Sequence, residues 1–403
     1  MAIDAAPNCT TFEEDLTGAL GDLRGRLGEA IGSIGLAPGE PQEIARRLGI
    51  SRNLTWKVSK VVCSEDVFEA TQHMPGEEGI EILLNALGDA GVEAARIDAV
   101  RATTRRFDAV VETHSGDRAT LDLMLDGMGG SAASRLEQSR KQAFRGNSGV
   151  WGIQARARMT SLIVAPTRGD TEHVDLALLG GMFDIRRLRP HVTWPIFYPM
   201  AYHDDGTPVA SAVEEPLDDT VQDKAGPHLL REFCTETMPE IRARKAGERL
   251  VYEFGPGPVG NTGAFSMVFG SLTPGQVSRR QTPEDAFGES TTRITMPTGA
   301  VQFDLLLHRD LAFGEPEAAV IGRVAVPNGA DDFHDIPIAE QPRELSGRPP
   351  MLGSALIPRY EAIVQRAMDR CGWSVGEFRV YRLQMQYPPM HSVVRMRFGL
   401  EPA

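Results

Sequence analysis

The chain has 403 residues, 41% hydrophobic and 24% charged, the balance of an ordinary folded protein and too long for a single core, so two or three domains are expected. Its formal net charge of −13 excludes a protein that coats nucleic acid over its whole surface, and its four scattered cysteines (Cys9, Cys63, Cys234, Cys371) lack the C-x-x-C spacing of a structural zinc site or a disulfide framework. No apolar run is long enough to span a bilayer, and the N-terminal MAIDAAPNCTTFEEDL has acids where a signal peptide needs basic and then apolar residues, so a cytoplasmic protein is expected.

The first 147 or so residues read as helical. Thr10 and Thr11 each stand three residues before a glutamate, a capping box in either register. Leu16, Leu20, Leu23, Leu27, Ile31 and Ile34 then form an apolar seam on one long helix. The seam is short and broken by glycines, which favours packing within the chain over pairing with a second copy. APGEP separates it from the next segment.

Pro41 to Val62, PQEIARRLGISRNLTWKVSKVV, carries the strongest local signal. Pro41 suits the first position of a helix, where its missing N–H costs nothing. Ile44, Ala45 and Leu48 follow at helical spacing, and Gly49 supplies the left-handed angle that ends a helix and turns the chain. Ile50 plugs the corner and Ser51 is a good N-cap for a second helix, which would carry Leu54, Val58 and then Val61 or Val62 inward. Arg52, Asn53, Thr55, Trp56, Lys57 and Lys60 are expected to face outward. Trp56 is open to two placements, a wedge against sugar-phosphate or part of the local core. The segment holds five basic residues (Arg46, Arg47, Arg52, Lys57, Lys60) against one acid, Glu43, a basic island on an acidic chain.

Ile44, Ala45, Leu48, Gly49, Ile50, Ser51 and Arg52 resemble the helix-turn-helix segment of bacterial transcription regulators, a small residue followed by LG[IV]S and a polar recognition helix. The resemblance covers about twenty residues. It implies that the second helix enters the major groove of double-stranded DNA, with Arg52, Asn53 and Lys57 at base edges and Arg46, Arg47, Thr55 and Lys60 on phosphate. It also implies a homodimer, since paired half-sites supply the specificity that one such motif lacks.

Further helices follow. Ser64, Glu65 and Asp66 introduce one that breaks at His73-Met74-Pro75-Gly76. Ile80 to Leu87 and Ile97 to Val111 mark two more, Asp117 caps a short one, and Ser131 to Phe144 carries Arg135, Arg140, Lys141 and Arg145, read as a solvated face, and ends at Gly146-Asn147-Ser148-Gly149. From about Val150 short β-rich runs take over. Strands are expected at 153–164, 192–202, 249–254, 264–269, 292–296, 301–308, 318–326, 377–387 and 392–400, with MPTG as a hairpin turn and YPPMH as another connection. Helices are expected over 227–237 and 358–371, and long surface loops over 204–226 and 327–352.

The expected fold is therefore multi-domain. An all-α N-terminal part comprises a DNA-binding region over 1–66 and a helical connector or bundle over 67–147. An α+β part with a mainly antiparallel sheet, for ligand sensing or assembly, follows over 148–403. The C-terminal part offers weaker chemical signals. Gly255-Pro256-Gly257-Pro258-Val259-Gly260 satisfies G-x-G-x-x-G, but two prolines remove backbone donors and a strand follows, so no dinucleotide site is expected. His203-Asp204-Asp205, Asp331-Asp332-Phe333-His334-Asp335, and His308 with Asp310 read as turn residues rather than metal ligands. Cys234 has no identifiable base. No catalytic residue, cofactor or metal is assigned. The leading expectation is a sequence-specific DNA-binding regulator with a small-molecule effector. The alternatives are an enzyme of unknown class in the C-terminal part or a protein-interaction scaffold, with the helix-turn-helix vestigial in either.

Overall fold

The computed structural model describes residues 11–126, 128, 132–196, 214–218, 220, 228–246, 249–282, 286–325, 331–336 and 338–403. An N-terminal helical region is followed by a sheet-rich part with mostly antiparallel strands, and the chain divides into compact units at Leu136/Glu137.

The first unit holds α1 (Phe12–Ser33), α2 (Pro41–Leu48), α3 (Arg52–Cys63), α4 (Val67–Gln72), α5 (Glu77–Asp89), α6 (Ala94–His114) and α7 (Arg118–Asp126). Thr11 and Glu14 form the capping box of α1 reciprocally. The seam is buried within the chain: Leu16, Leu20, Leu23, Leu27 and Ile31 are at most 1% exposed. Each such burial stabilises the fold by about 1.5–3 kcal/mol relative to exposure. Helix α6 runs antiparallel to α1, with His114 Nε2 2.9 Å from Asp15 Oδ2 at one end and Arg106 paired to Asp22 further along. Leu83, Leu84 and Leu87 of α5, Val100 and Phe107 of α6, and Leu121 and Leu125 of α7 join the same core as Val58 and Val61 of α3. The helices expected as a separate connector beyond residue 66 thus share the core of the helices before them. Asp66 caps α4 by accepting from the amides of Phe68 (2.8 Å) and Glu69 (3.3 Å), and MPGEEG is a simple break with Gly76 as the N-cap of α5.

Helix α8 (Ala132–Trp151) carries the border between the units and runs past the expected stop at Gly146. Ser148 satisfies its hydroxyl on the Phe144 carbonyl at 2.7 Å, and the Arg189 guanidinium donates to the carbonyls of Gly149 and Val150, capping the final turn. Gly152, at φ +70°, ends the helix. Two of the basic side chains on α8 have distant partners: Arg140 pairs with Glu340 at 2.5 Å and Lys141 lies 5.7 Å over the Tyr387 ring.

The second unit contains β1 (Ile153–Pro166), β2 (His173–Arg187), β3 (Trp194–Ile196), β4 (Glu215–Pro216), β5 (Ile241–Ala246), β6 (Arg249–Phe254), β7 (Phe265–Ser278), β8 (Phe287–Ile294), β9 (Thr298–His308), β10 (Glu317–Ala325), β11 (Asp331–Ile336), β12 (Arg343–Glu344), α9 (Tyr360–Cys371), β13 (Phe378–Gln386) and β14 (Ser392–Gly399). Seven strands form one sheet in the order β12-β13-β9-β1-β2-β7-β4, four form a second, β11-β10-β14-β8, and three a third, β3-β6-β5. Every described pairing of these strands is antiparallel except β1 with β9.

Strand alternation sorts β9 into two layers. Val301, Phe303, Leu305 and Leu307 pack with Val320 of β10 and with Val394 and Met396 of β14, between the two larger sheets. On the other face Leu306 joins Tyr360, Ile363, Val364 and Met368 of α9. A third core sets Trp194, Ile196, Tyr252 and Phe254 against Phe265 and Met267.

Several expectations are corrected. MPTG is not a hairpin: β8 ends before it, β9 begins within it, and the two strands belong to different sheets, whereas YPPMH is the expected connection between strands, from β13 to β14. Strand β2 was not anticipated. The expected helix over 227–237 is a single 3-10 turn, Arg231–Phe233, because Leu229 bridges to Phe269 and holds the chain extended before it. The expected loop over 327–352 contains β11, paired along β10, and the short β12. Most of the loop expected over 204–226 lies outside the described residues.

Candidate nucleic-acid interface

Helix α2 starts at Pro41 and buries Ile44 and Ala45. Gly49 follows in the left-handed conformation (φ 65°, ψ 24°), which a side chain would disfavour, and Ser51 caps α3 by accepting from the Leu54 amide at 3.2 Å. Helix α3 buries Thr55, Val58, Ser59 and Val61, with Leu54 and Val62 partly buried against the core. From α1, Arg24 Nε donates to the Val61 carbonyl at 2.7 Å, satisfying one of the last carbonyls of α3. The joint between α2 and α3 and the packing of α3 are thus fixed by residues whose roles are local.

The site residues expected from the sequence fall into three groups. Arg47, Arg52 and Asn53 are exposed and Lys57 is half-buried; among the described residues none of the three cations has a carboxylate partner. Arg46 and Lys60 are engaged. Arg46 grips Glu43 through two hydrogen bonds of 2.6 and 3.1 Å, which hold the Glu43 carboxyl below its usual range, and Lys60 Nζ lies 3.5 Å from Glu69. Both pairs are solvent-facing and cheap to exchange for another anion. Thr55 does not fit its expected place. It is fully buried and its hydroxyl donates to the Arg52 carbonyl at 3.1 Å, so it cannot reach a phosphate.

Trp56 resolves toward the outside. It is 44% exposed, and the His73 ring, at the C-terminus of α4, meets it edge-on with centroids 4.9 Å apart. Burial pushes the His73 imidazole pKa down and Lys60 and Lys57 push in the same direction, against the opposing pull of Glu69.

The C-terminal candidates resolve into packing. The GPGPVG loop wraps a buried arginine: Arg187 donates to the carbonyls of Gly255 and Val192, and a side chain at residue 257 would collide with its guanidinium. Gly257 serves close approach to a cation, and β7 follows after one short turn. His308 accepts from the Asp310 amide at 3.2 Å and packs its ring against Phe378. His203, Asp204 and Asp205 lie outside the described residues, as do the side chains from Asp331 to Asp335. Among the described residues no group of three His, Cys, Asp or Glu side chains could hold a metal. Burial pushes the Cys234 thiol up, and its sulfur accepts from the Val268 amide, a structural role.

One polar cluster was not anticipated from the sequence. On the α9 face of the large sheet, Arg382 holds Asp304 with hydrogen bonds of 2.8 to 3.1 Å and donates to the carbonyls of Leu352 and Gly353. Tyr360 lies under that guanidinium and shares a 2.9 Å hydrogen bond with Ser161, while Gln302 accepts from Ser354 and Gln384. Burial pushes the Asp304 and Tyr360 pKa values up, against the pull of Arg382 on both. The groups are mutually satisfied and pin residues 352–360 to the sheet. The polar residues inside VQFDLLL were the trace of it.

Among the described residues no helix is long and apolar enough to cross a membrane. No protein-family model matches the chain, and comparison with the curated proteins finds no match.

Proposed function

We propose that this chain is a sequence-specific DNA-binding regulator of transcription, that α2 and α3 act as its helix-turn-helix, and that the sheet-rich part senses a small-molecule effector or mediates assembly. The observation that carries the reading is the outer face of α3: Arg52, Asn53 and Lys57 lie there without acid partners among the described residues, on a chain of net charge −13. An α-helix fits the major groove, where arginine pairs with guanine and asparagine with adenine. Arg47 positions the helix on phosphate, and Lys60 and Arg46 join it by exchanging Glu69 and Glu43 for phosphate oxygens. Thr55 has no part in this mechanism. A cytoplasmic homodimer on paired half-sites is the form in which we expect it to act.

Genomic fragments captured by the full-length chain at two salt concentrations test the reading, because counterion-driven binding collapses with salt while a preferred sequence persists. Replacing Arg52 and Lys57 together by alanine should abolish capture while leaving the urea midpoint unchanged. A double variant that captures the same fragments as the parent rejects the proposal. Sedimentation equilibrium with a bound duplex checks the two-to-one stoichiometry.

A further inference from the structure

The phase of α3 places Asn53 and Lys60 at the middle of its outward side, with Trp56 to one side of them and Lys57 to the other. At about 100° per residue, buried Thr55, Val58, Ser59 and Val61 define one side of the helix. Opposite them lie Asn53 and Lys60, and Trp56 stands beside these two, with Arg52 and Asn53 one turn before the indole and Lys60 one turn after it. Lys57 sits on the flank, half-buried. The indole, 44% exposed, therefore lies within a cationic face, between Arg52 and Lys60, and meets the His73 ring edge-on with centroids 4.9 Å apart.

We propose, resting on the duplex reading above, that Trp56 is a specificity-determining residue that reads the 5-methyl group of thymine. In the major groove each base pair presents donors and acceptors, and the apolar feature available there is that methyl. An indole pressed against an amino or keto group would leave that group without its water and without a partner, whereas a methyl loses nothing by the contact. The preferred site should thus carry thymine next to the bases met by Arg52 and Asn53. Exposed aromatic rings also stack on unpaired bases. A groove about 12 Å wide suits a whole helix of about 10–12 Å, and the cations flanking Trp56 suit phosphates on both sides of it, which favours the duplex.

The test uses the full chain and the duplex it prefers, with each thymine replaced in turn by deoxyuridine. That change removes one methyl and leaves the pairing edges intact. At one or two positions the parent should bind about fourfold more weakly per methyl lost, the factor that corresponds to one buried methylene-sized group. The Trp56→Ala variant should bind both duplexes equally, and Trp56→Phe should keep part of the preference; urea unfolding verifies that both remain folded. Duplex binding that is insensitive to deoxyuridine at every position overturns this inference alone. A Trp56→Ala variant that retains the thymine preference overturns it too, as does tighter binding to the single strand of the same sequence. Absence of binding to any duplex removes the regulator reading together with it.

Discussion

Gly49 and Ser51 show how single residues set the direction of α3. A Cβ at φ +65° is disfavoured by about 1 kcal/mol or more, and loss of the Ser51 cap costs about 1 kcal/mol. Gly49→Ala and Ser51→Ala should therefore each lower the urea midpoint, while Arg52→Ala, at an exposed position with no ion-pair partner among the described residues, should stay within about 0.5 kcal/mol of the parent. Equal losses from all three would mean that Arg52 is structural and not free for a ligand. The roles of Gly49, Ser51, Ile44 and Val58 were legible in the sequence because each depends on neighbours within one or two turns. Thr55 was not. Reading outward placement from polarity fails when a hydroxyl can be satisfied by its own helix, as it is here on the Arg52 carbonyl. The place of Trp56 was half legible, since its exposure depends on where α4 ends and His73 stands.

At the scale of elements, local pattern located most strands but could not assign them to sheets. Residues of the MPTG type bend a chain equally well into a hairpin or across to another layer, and only the distant partners of β8 and β9 decide. Strand β2 hid behind Gly180-Gly181, which reads as a break. A Cβ at Gly180 would lie 2.2 Å from the Phe269 ring, so the glycine admits an aromatic from β7. Gly180→Ala should cost about 1–3 kcal/mol by overpacking, seen as a lower thermal midpoint, and Phe269→Leu in the same chain should recover part of it. The hold of Arg382 on Asp304 predicts a larger effect. Arg382→Ala leaves the buried Asp304 without its counter-charge, at a cost of about 3–5 kcal/mol in urea unfolding, whereas Arg382→Met with Asp304→Leu should cost much less. If the double change is as damaging as the single one, the network does more than fill its space.

For the molecule as a whole, the C-terminus is tied back by charge. Arg279 holds Glu401 by hydrogen bonds of 2.6 and 2.9 Å, and this depresses the Glu401 pKa below the ordinary carboxylate range. A depressed acid contributes stability that is fully present above its unfolded pKa and is lost as pH falls through the folded value. Acidification from neutral pH should thus lower the melting temperature of the parent more than that of Glu401→Gln; parallel curves would show that this pair carries no linkage. The placement of β9 between β1 and β13 has a further consequence, for synthesis. More than a hundred residues separate β1 from β9, and β13 comes later still, so during translation the β1–β2 ribbon waits with one edge bare until its neighbour leaves the ribosome. Bare edges recruit other chains. A product halted at Gly353, with β9 made but β13 and α9 absent, should accumulate in the pellet after lysis, and chaperone capacity should govern the yield of the complete protein.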